Sequence, residues 1–368
     1  MTRETYRRDA PRARVLDARI PPAIPHARRT PAGQIVAALS ASRSGNDPIP
    51  DTPMATASRT LAEIPRRPFG RTGETVSALG LGGFHLGQIG SDRACTALVR
   101  RAIDAGITFM DNAWEYNDGL SEQRMGKELA GGWREKVFLM TKVCTHGRDA
   151  KVAMRMLEES LRRLKTDYID LWQVHEISYW NDPERHFARG GVIEALDRAK
   201  EKGLVRFVGF TGHKDPGLHL EMLSHGYRFD ACQMPLNCFD ATFRSFEQQV
   251  LPECARQGIA VIGMKTFGGE GEPVRKRVVA AGDALRYAMS LPVAVTVTGI
   301  DSERILDQDL RIARGFRPMR AVEMQRLRAR CAAHALDGRF ELYKTTAKHE
   351  ADVGRKQHGF PLQAELGG

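Results

Sequence analysis

From Arg66 onward, short apolar runs alternate with segments of helical period, and the alternation recurs eight times. Such a rhythm restricts the fold sharply, because each strand must be followed by a helix that crosses back over the sheet. Strands are expected at 79–83, 108–111, 137–142, 169–175, 205–211, 231–234, 260–264 and 293–298. Helices are expected between them, at 149–164, 191–202, 216–224, 243–257 and 278–290 among others. Several helices run through a glycine straight into a strand, as in DAGITFMD, EKGLVRFVGF and RQGIAVIGM, where glycine takes the left-handed conformation cheaply. Ahead of the repeat, RPFGRTGETVSALG reads as a hairpin turning at Thr72-Gly73. Eight strand–helix pairs predict a parallel (β/α)8 barrel of the α/β class. The rival, an open doubly wound sheet, usually carries G-x-G-x-x-G after its first strand; GLGLGGFHLG lacks a clean acid-bearing βαβ context.

A barrel places its chemistry at the C-terminal ends of its strands. Asp111, Lys142 and His175 each close an expected strand, and Tyr116 follows in the loop after one. A tyrosine is a slow proton donor at neutral pH, its ordinary pKa being near 10. A neighbouring ammonium stabilises the phenolate, and a carboxylate can hold that ammonium in place. Taken singly, Asp111 also suits a helix cap, Lys142 a solvated strand end and His175 a core position. Glu122, in SEQRMG, reads either as a prop beneath Tyr116 or as the start of a helix.

The stretch DNAWEYNDGLSE, the Thr-Lys closing the third strand and the Gln-Val-His closing the fourth resemble the aldo-keto reductase superfamily, over about 67–310. The resemblance implies that Tyr116 is the general acid of carbonyl reduction and that Lys142 tunes it. It implies further that Asp111 supports Lys142 and that a neutral His175 orients the carbonyl. It also implies a nicotinamide dinucleotide lying across the barrel mouth. Thr211 and Gln233 match the family's carboxamide-binding Ser and Gln. Gly212 replaces its Asn, with His213 and Asn237 as substitute polar groups; Met264 replaces its ring-stacking Tyr. Lys265, Thr266 and Gly268 would meet the pyrophosphate. Gly299, Ser302 and Arg304 would meet the adenosine phosphate, and Asp307 and Gln308 the adenine. Since a guanidinium suits a 2′-phosphate, Arg304 favours NADPH over NADH. Phe84, His85, Trp114, Tyr179 and Trp180 are candidate rim residues for a small aldehyde or ketone substrate with an apolar body.

The 368 residues are assigned to an N-terminal extension (1–60), a barrel (61–335) and a C-terminal segment (336–368) that could cover the mouth. The extension is rich in Arg, Pro, Ala and Ser without period, and reads as flexible, with Met54 an alternative start. Its Arg28-Arg29 precedes an apolar run too short for a convincing export signal. The formal charge of +10 is spread along the chain without an aromatic-interleaved basic stripe, which argues against nucleic acid as a partner. No run approaches the ~18 apolar residues of a membrane span. Six scattered cysteines without a C-x-x-C pair argue against disulfides, zinc or an iron–sulfur cluster, and for a reducing, cytoplasmic setting. Cys144 reads as a small buried strand-end residue rather than a reactive thiol. The expectation is thus a metal-free enzyme, monomeric or weakly oligomeric. The alternative is a nicotinamide-binding regulatory protein of negligible turnover on the same fold, kept open by Gly212 and Met264.

Overall fold

A computed structural model describes residues 62–144 and 149–366. The expected extension, its twin arginine and Met54 lie outside the described residues. Eight parallel strands close a barrel: β1 (Leu79–Gly82), β2 (Phe109–Asp111), β3 (Phe138–Val143), β4 (Ile169–Val174), β5 (Val205–Thr211), β6 (Ala231–Pro235), β7 (Ala260–Met264) and β8 (Val295–Gly299). They follow one another in sequence order around the ring, with β8 pairing back onto β1. The helices that return the chain are α1 (Asp92–Asp104), α2 (Leu120–Glu128), α3 (Ala150–Leu164), α4 (Val192–Glu201), α5 (Pro216–Ser224), α6 (Phe246–Gln257), α7 (Ala281–Ser290) and α8 (Glu303–Arg314). Glycine ends α6 as expected: Gly258 sits at φ +67°, the left-handed region, and the next residues enter β7.

The N-terminal hairpin (Arg66–Pro68 with Thr75–Ser77) plugs the opposite end of the barrel from the site. Its Phe69 ring lies 4.8 Å from Phe138 and 6.0 Å from Phe109, the residues that open β3 and β2. That end is therefore filled with apolar rings, which leaves the C-terminal mouth for chemistry. Beyond the barrel the chain forms α9 (Ala321–Ala332), a short turn of helix at Leu342–Thr345 and α10 (Asp352–His358). The last two were not legible in the sequence, because they are too short to show a period.

Burial on the outer face of the barrel sets the ionisation of Glu128 against the fold. Glu128 at the end of α2 is 1% exposed, and burial pushes its carboxyl up to about 7, against the pull of Cys95, Arg124 and Arg100. A carboxyl raised in the folded state contributes most at low pH, and that contribution is lost as pH rises from its unfolded value through about 7. Glu128→Gln should therefore flatten the fall in stability between acid and neutral pH, with a gain above neutrality of about 1–3 kcal/mol. Urea midpoints of both proteins at pH 5 and pH 8 check this; parallel pH dependences would contradict it.

Candidate active site

The three strand ends converge as the barrel requires. Lys142, 1% exposed, uses all three of its ammonium donors: on Asp111 Oδ1, on the Asn112 carbonyl at 2.8 Å and on the Tyr116 hydroxyl at 3.2 Å. Asp111 is held from its other oxygen by Gln233 Nε2 at 2.8 Å. Because the phenolic oxygen accepts from Lys142, its own proton is free to point elsewhere. The loop that presents Tyr116 is a tight one: Asn117, Asp118 and Gly119 are all left-handed, at φ +51°, +54° and +85°. Two non-glycine residues in that region are costly unless tied down. Asn117 is tied, donating to the Phe84 carbonyl at 2.7 Å and to Ser121 Oγ at 2.9 Å. Glu122 props the same loop from below, accepting from Thr141 Oγ1 at 2.6 Å and from Arg163 at 3.2 Å.

His175 follows β4, with its ring edge-on to Tyr116 at 5.7 Å and its Nδ1 against a carboxylate oxygen of Glu115. Two carboxylates beside the expected catalytic residues, Glu115 and Glu176, carried no role in the sequence reading, although each is adjacent to one of them. They matter electrostatically. Burial first, then Asp111, Glu115 and Glu176, hold the Tyr116 phenol well above its ordinary value. Enclosure and the three carboxylates thus act against the stabilisation of the phenolate expected from Lys142.

The expected cofactor residues divide into two groups. Several are already engaged. Asn237 donates to the Lys265 carbonyl, to Glu341 and to the Tyr343 hydroxyl, at 3.2, 3.2 and 3.1 Å, and its oxygen accepts from the Phe239 and Asp240 amides. It is a structural hub, not a spare polar group. Gln233 is committed to Asp111 and to Gln173, and Gln308 lies 3.4 Å from Asp309. Asp307, expected at the adenine, is paired with Arg101. Gly268 lies under the C-terminal segment, where an added Cβ would stand 2.7 Å from the Phe340 carbonyl. Others are available at the mouth. Among the described residues, buried His213 Nδ1 has no hydrogen-bond partner while its Nε2 faces Glu176 at 3.3 Å, and buried Thr266 Oγ1 has none either. Lys265 and Arg304 have no ion pair among the described residues, and burial lowers the Lys265 ammonium. Thr211 ends β5, Met264 stands partly exposed at the end of β7, and Gly299 ends β8 against the His85 ring. Ser302 stands just before α8 without a side-chain capping bond, its hydroxyl donating to Asp301 at 2.8 Å.

Gly212 proves to be a packing requirement. A Cβ there would lie 2.6 Å from the Ile177 carbonyl and 2.8 Å from the ring of buried His219, so an Asn has no room. His219 gave no sign of this in sequence, since its contact with β5 depends on how α5 docks.

The rim residues are also redistributed. Phe84 meets Tyr116 edge-on at 5.4 Å and stays at the mouth. Trp114 turns outward, its Nε1 donating to Glu159 on α3 at 2.8 Å with Arg163 over its ring. Tyr179 grips the C-terminal segment through Glu350 at 3.1 Å and through the His358 and Phe360 rings. Trp180 is 80% exposed. Cys144 is buried and enclosure pushes its thiol up, as suits an inert packing residue. Among the described residues no group of three or more His, Cys, Asp or Glu could hold a metal ion, and no helix is long and apolar enough to cross a membrane.

A closed parallel barrel with a Tyr–Lys–Asp–His constellation at its C-terminal mouth defines a class of proteins, and the comparisons name it. The profile of the Aldo/keto reductase family matches residues 78–274, and the chain belongs to that family. It is 31% identical over 222 residues to the Uncharacterized oxidoreductase YrpG of Bacillus subtilis, covering 55% of this chain and 66% of that one. It is 30% identical over 199 residues to the Methylglyoxal reductase YeaE of Escherichia coli, covering 54% and 66%. The matches thus span just under two thirds of the length of these curated relatives. The fold is also that of a Klebsiella pneumoniae aldo-keto reductase solved in complex with NADPH, with a TM-score of 0.59 and 21% identity over 73% of this chain and 94% of that one.

Proposed function

We propose that the protein reduces an aldehyde or ketone to the alcohol, reversibly, with a nicotinamide cofactor and with Tyr116 as proton donor. The observation that carries this reading is the Tyr116 hydroxyl accepting from a Lys142 whose other donors are fully used. The lysine fixes the phenolic oxygen without competing for its proton, so a carbonyl oxygen beside it becomes the natural acceptor. The raised Tyr116 pKa keeps that proton in place until charge develops on the substrate oxygen. Asp111, clamped by Gln233, keeps the Lys142 side chain aimed. Reverse oxidation of an alcohol uses the same groups.

A bound nicotinamide dinucleotide supplies the hydride. The mouth offers polar groups suited to hold it: His213 Nδ1 and Thr266 Oγ1, buried and unsatisfied among the described residues, Thr211 at the end of β5, and Lys265, with no ion pair among them. At the start of α8, Ser302 and the exposed Arg304, without an ion pair among the described residues, form an N-terminus suited to a phosphate. These features, with the NADPH complex of the Klebsiella relative, favour NADPH over NADH. Phe84 on the Tyr116 ring favours an apolar substrate body. The C-terminal segment, reaching Tyr179, Lys214 and Asn237 at three successive loops, bounds the mouth on that side.

Fluorescence titration of the purified protein with NADPH and with NADH, followed by screening of aldehydes and ketones, tests the reading. Arg304→Ala should weaken NADPH more than NADH by about tenfold, the scale of a lost charge-assisted contact. Equal losses for both cofactors would clear Arg304 of that role. Binding of neither cofactor to the parent protein would remove the reductase reading itself.

A further inference from the structure

Lys265 follows β7 in a backbone conformation that few residues with a side chain accept. Its φ is +57°, in the left-handed region, and two donors to its carbonyl hold it there: Asn237 Nδ2 at 3.2 Å and the Gly268 amide at 3.0 Å. Such strain persists where the surrounding structure imposes it, and here it sets the direction of a charged side chain. The ammonium comes to 5.7 Å from the centre of the Tyr343 ring, which also has the His213 ring at 5.7 Å and the His349 ring at 6.1 Å. Tyr343 is wholly buried and its hydroxyl is spent on Glu341 and Asn237, which leaves the ring itself to meet the lysine. An aromatic face attracts a cation without neutralising it.

The charged groups acting most strongly on Lys265 are, in order, Glu176 after β4, Lys142 in β3, Glu270 in its own loop and Asp111 at the end of β2. The ammonium therefore turns across the mouth, towards the side where Tyr116 and Lys142 stand rather than the start of α8. Each of those carboxylates is engaged elsewhere. Asp111 is on Lys142 and Gln233, Glu270 pairs with Lys348 at 2.7 Å, and Glu176 accepts from the Ala351 amide at 2.9 Å and faces His213 at 3.3 Å. The Lys265 ammonium has neither a hydrogen bond nor an ion pair among the described residues, although the side chain is partly enclosed. An enclosed cation without a partner is costly, and a counter-charge brought by a ligand removes that cost.

We propose that Lys265 is a specificity-determining residue that binds an anionic group, a carboxylate or a phosphate, on the carbonyl substrate. The inference rests on the reductase reading and deepens it by naming the class of compound reduced: an aldehyde or ketone that also carries an acid. The apolar part of such a compound meets Phe84 on the Tyr116 ring, and the acid meets Lys265 from β7. A cofactor diphosphate offers the same chemistry, so the test separates the two.

Saturation-transfer NMR titrations of the full chain, with NADP present, compare benzoate with benzamide, a neutral probe of the same shape. Benzoate should bind about tenfold more tightly or better, the scale of a charge-assisted contact, and Lys265→Met should bring it down to the level of benzamide. Lys265→Arg, which keeps the charge, should keep the preference. The bonds from Asn237 and Gly268 reach only the backbone at this position, so both substitutions leave the turn in place. In turnover, the parent should favour para-carboxybenzaldehyde over its methyl ester by the same margin, through KM. Lys265→Met should abolish that margin and leave both the ester and the NADPH dissociation constant close to those of the parent. A loss of NADPH affinity as large as the loss of benzoate would place the lysine on the cofactor diphosphate and overturn the proposal. An acid preference that survives in Lys265→Met would overturn it too. Lysine-dependent benzoate binding in a chain that reduces no carbonyl would uphold the anion site and remove only the reaction assigned to it. Carbonyl reduction without any acid preference in the parent would do the reverse.

Discussion

Tyr116→Phe is expected to abolish most carbonyl reduction, by roughly 10²–10⁴-fold, while NADPH affinity and thermal stability stay close to those of the parent. The expectation follows from how the hydroxyl is held. Removing it leaves Lys142 with two of its three partners, Asp111 and the Asn112 carbonyl, so no buried charge is stranded. The ring itself keeps its edge-on contacts with Phe84 and His175. Only the proton donor is lost. Single-turnover reduction of bound aldehyde, with cofactor titration alongside, separates the chemical step from binding. Turnover unchanged in this variant would sink the assignment of Tyr116. A matching loss of NADPH affinity would instead place the tyrosine in cofactor binding.

The second large effect lies away from the chemistry, in Lys344. This wholly buried lysine bridges Asp240 at 2.6 Å and Glu341 at 2.9 Å and donates to the Phe243 carbonyl at 2.8 Å. Asp240 in turn accepts from the Phe246 and Glu247 amides at the start of α6. One ammonium thus ties the C-terminal segment to the loop after β6. Lys344→Met would leave two carboxylates buried without their cation, a loss of about 3–5 kcal/mol for a broken buried pair. Burial already pushes both carboxyls up, and Lys344 is the main group opposing it. Without it their folded-state pKa values rise further, so the variant's deficit should grow as pH rises from about 5 towards 8 and shrink on acidification. Urea unfolding at the two pH values checks both the size and the direction. A deficit smaller at pH 8 than at pH 5 would refute the account.

The barrel was legible in the chain because strand ends and glycine turns are local signals. Gly258, Asp111, Lys142 and Thr211 stand within a residue or two of where the pattern placed them. The acid–lysine–tyrosine contacts followed, since consecutive strands of a closed barrel must bring their ends together. What escaped the sequence depends on distant packing. Asn237 looked like a free polar group until Glu341 and Tyr343, about a hundred positions later, were found on it. Trp114 and Tyr179 looked like rim aromatics until α3 and α10 supplied Glu159 and His358 as partners. Glu115 was visible beside Tyr116 but had no assigned partner, because its neighbour His175 lies across the mouth rather than along the chain.

The buried bridge at Lys344 also has a bearing on synthesis. During translation Asp240 and Asn237 leave the ribosome roughly a hundred residues before the groups that satisfy them. Until Glu341 to Lys344 arrive, the loop after β6 must stay hydrated, because its carboxylate cannot be enclosed without a cation. The β-strands can pair in order as they emerge, yet that side of the mouth is completed only after all eight. A nascent chain halted before Lys344 would therefore hold a formed barrel with an unsealed rim, a species that proteases and chaperones would tell apart from the finished protein.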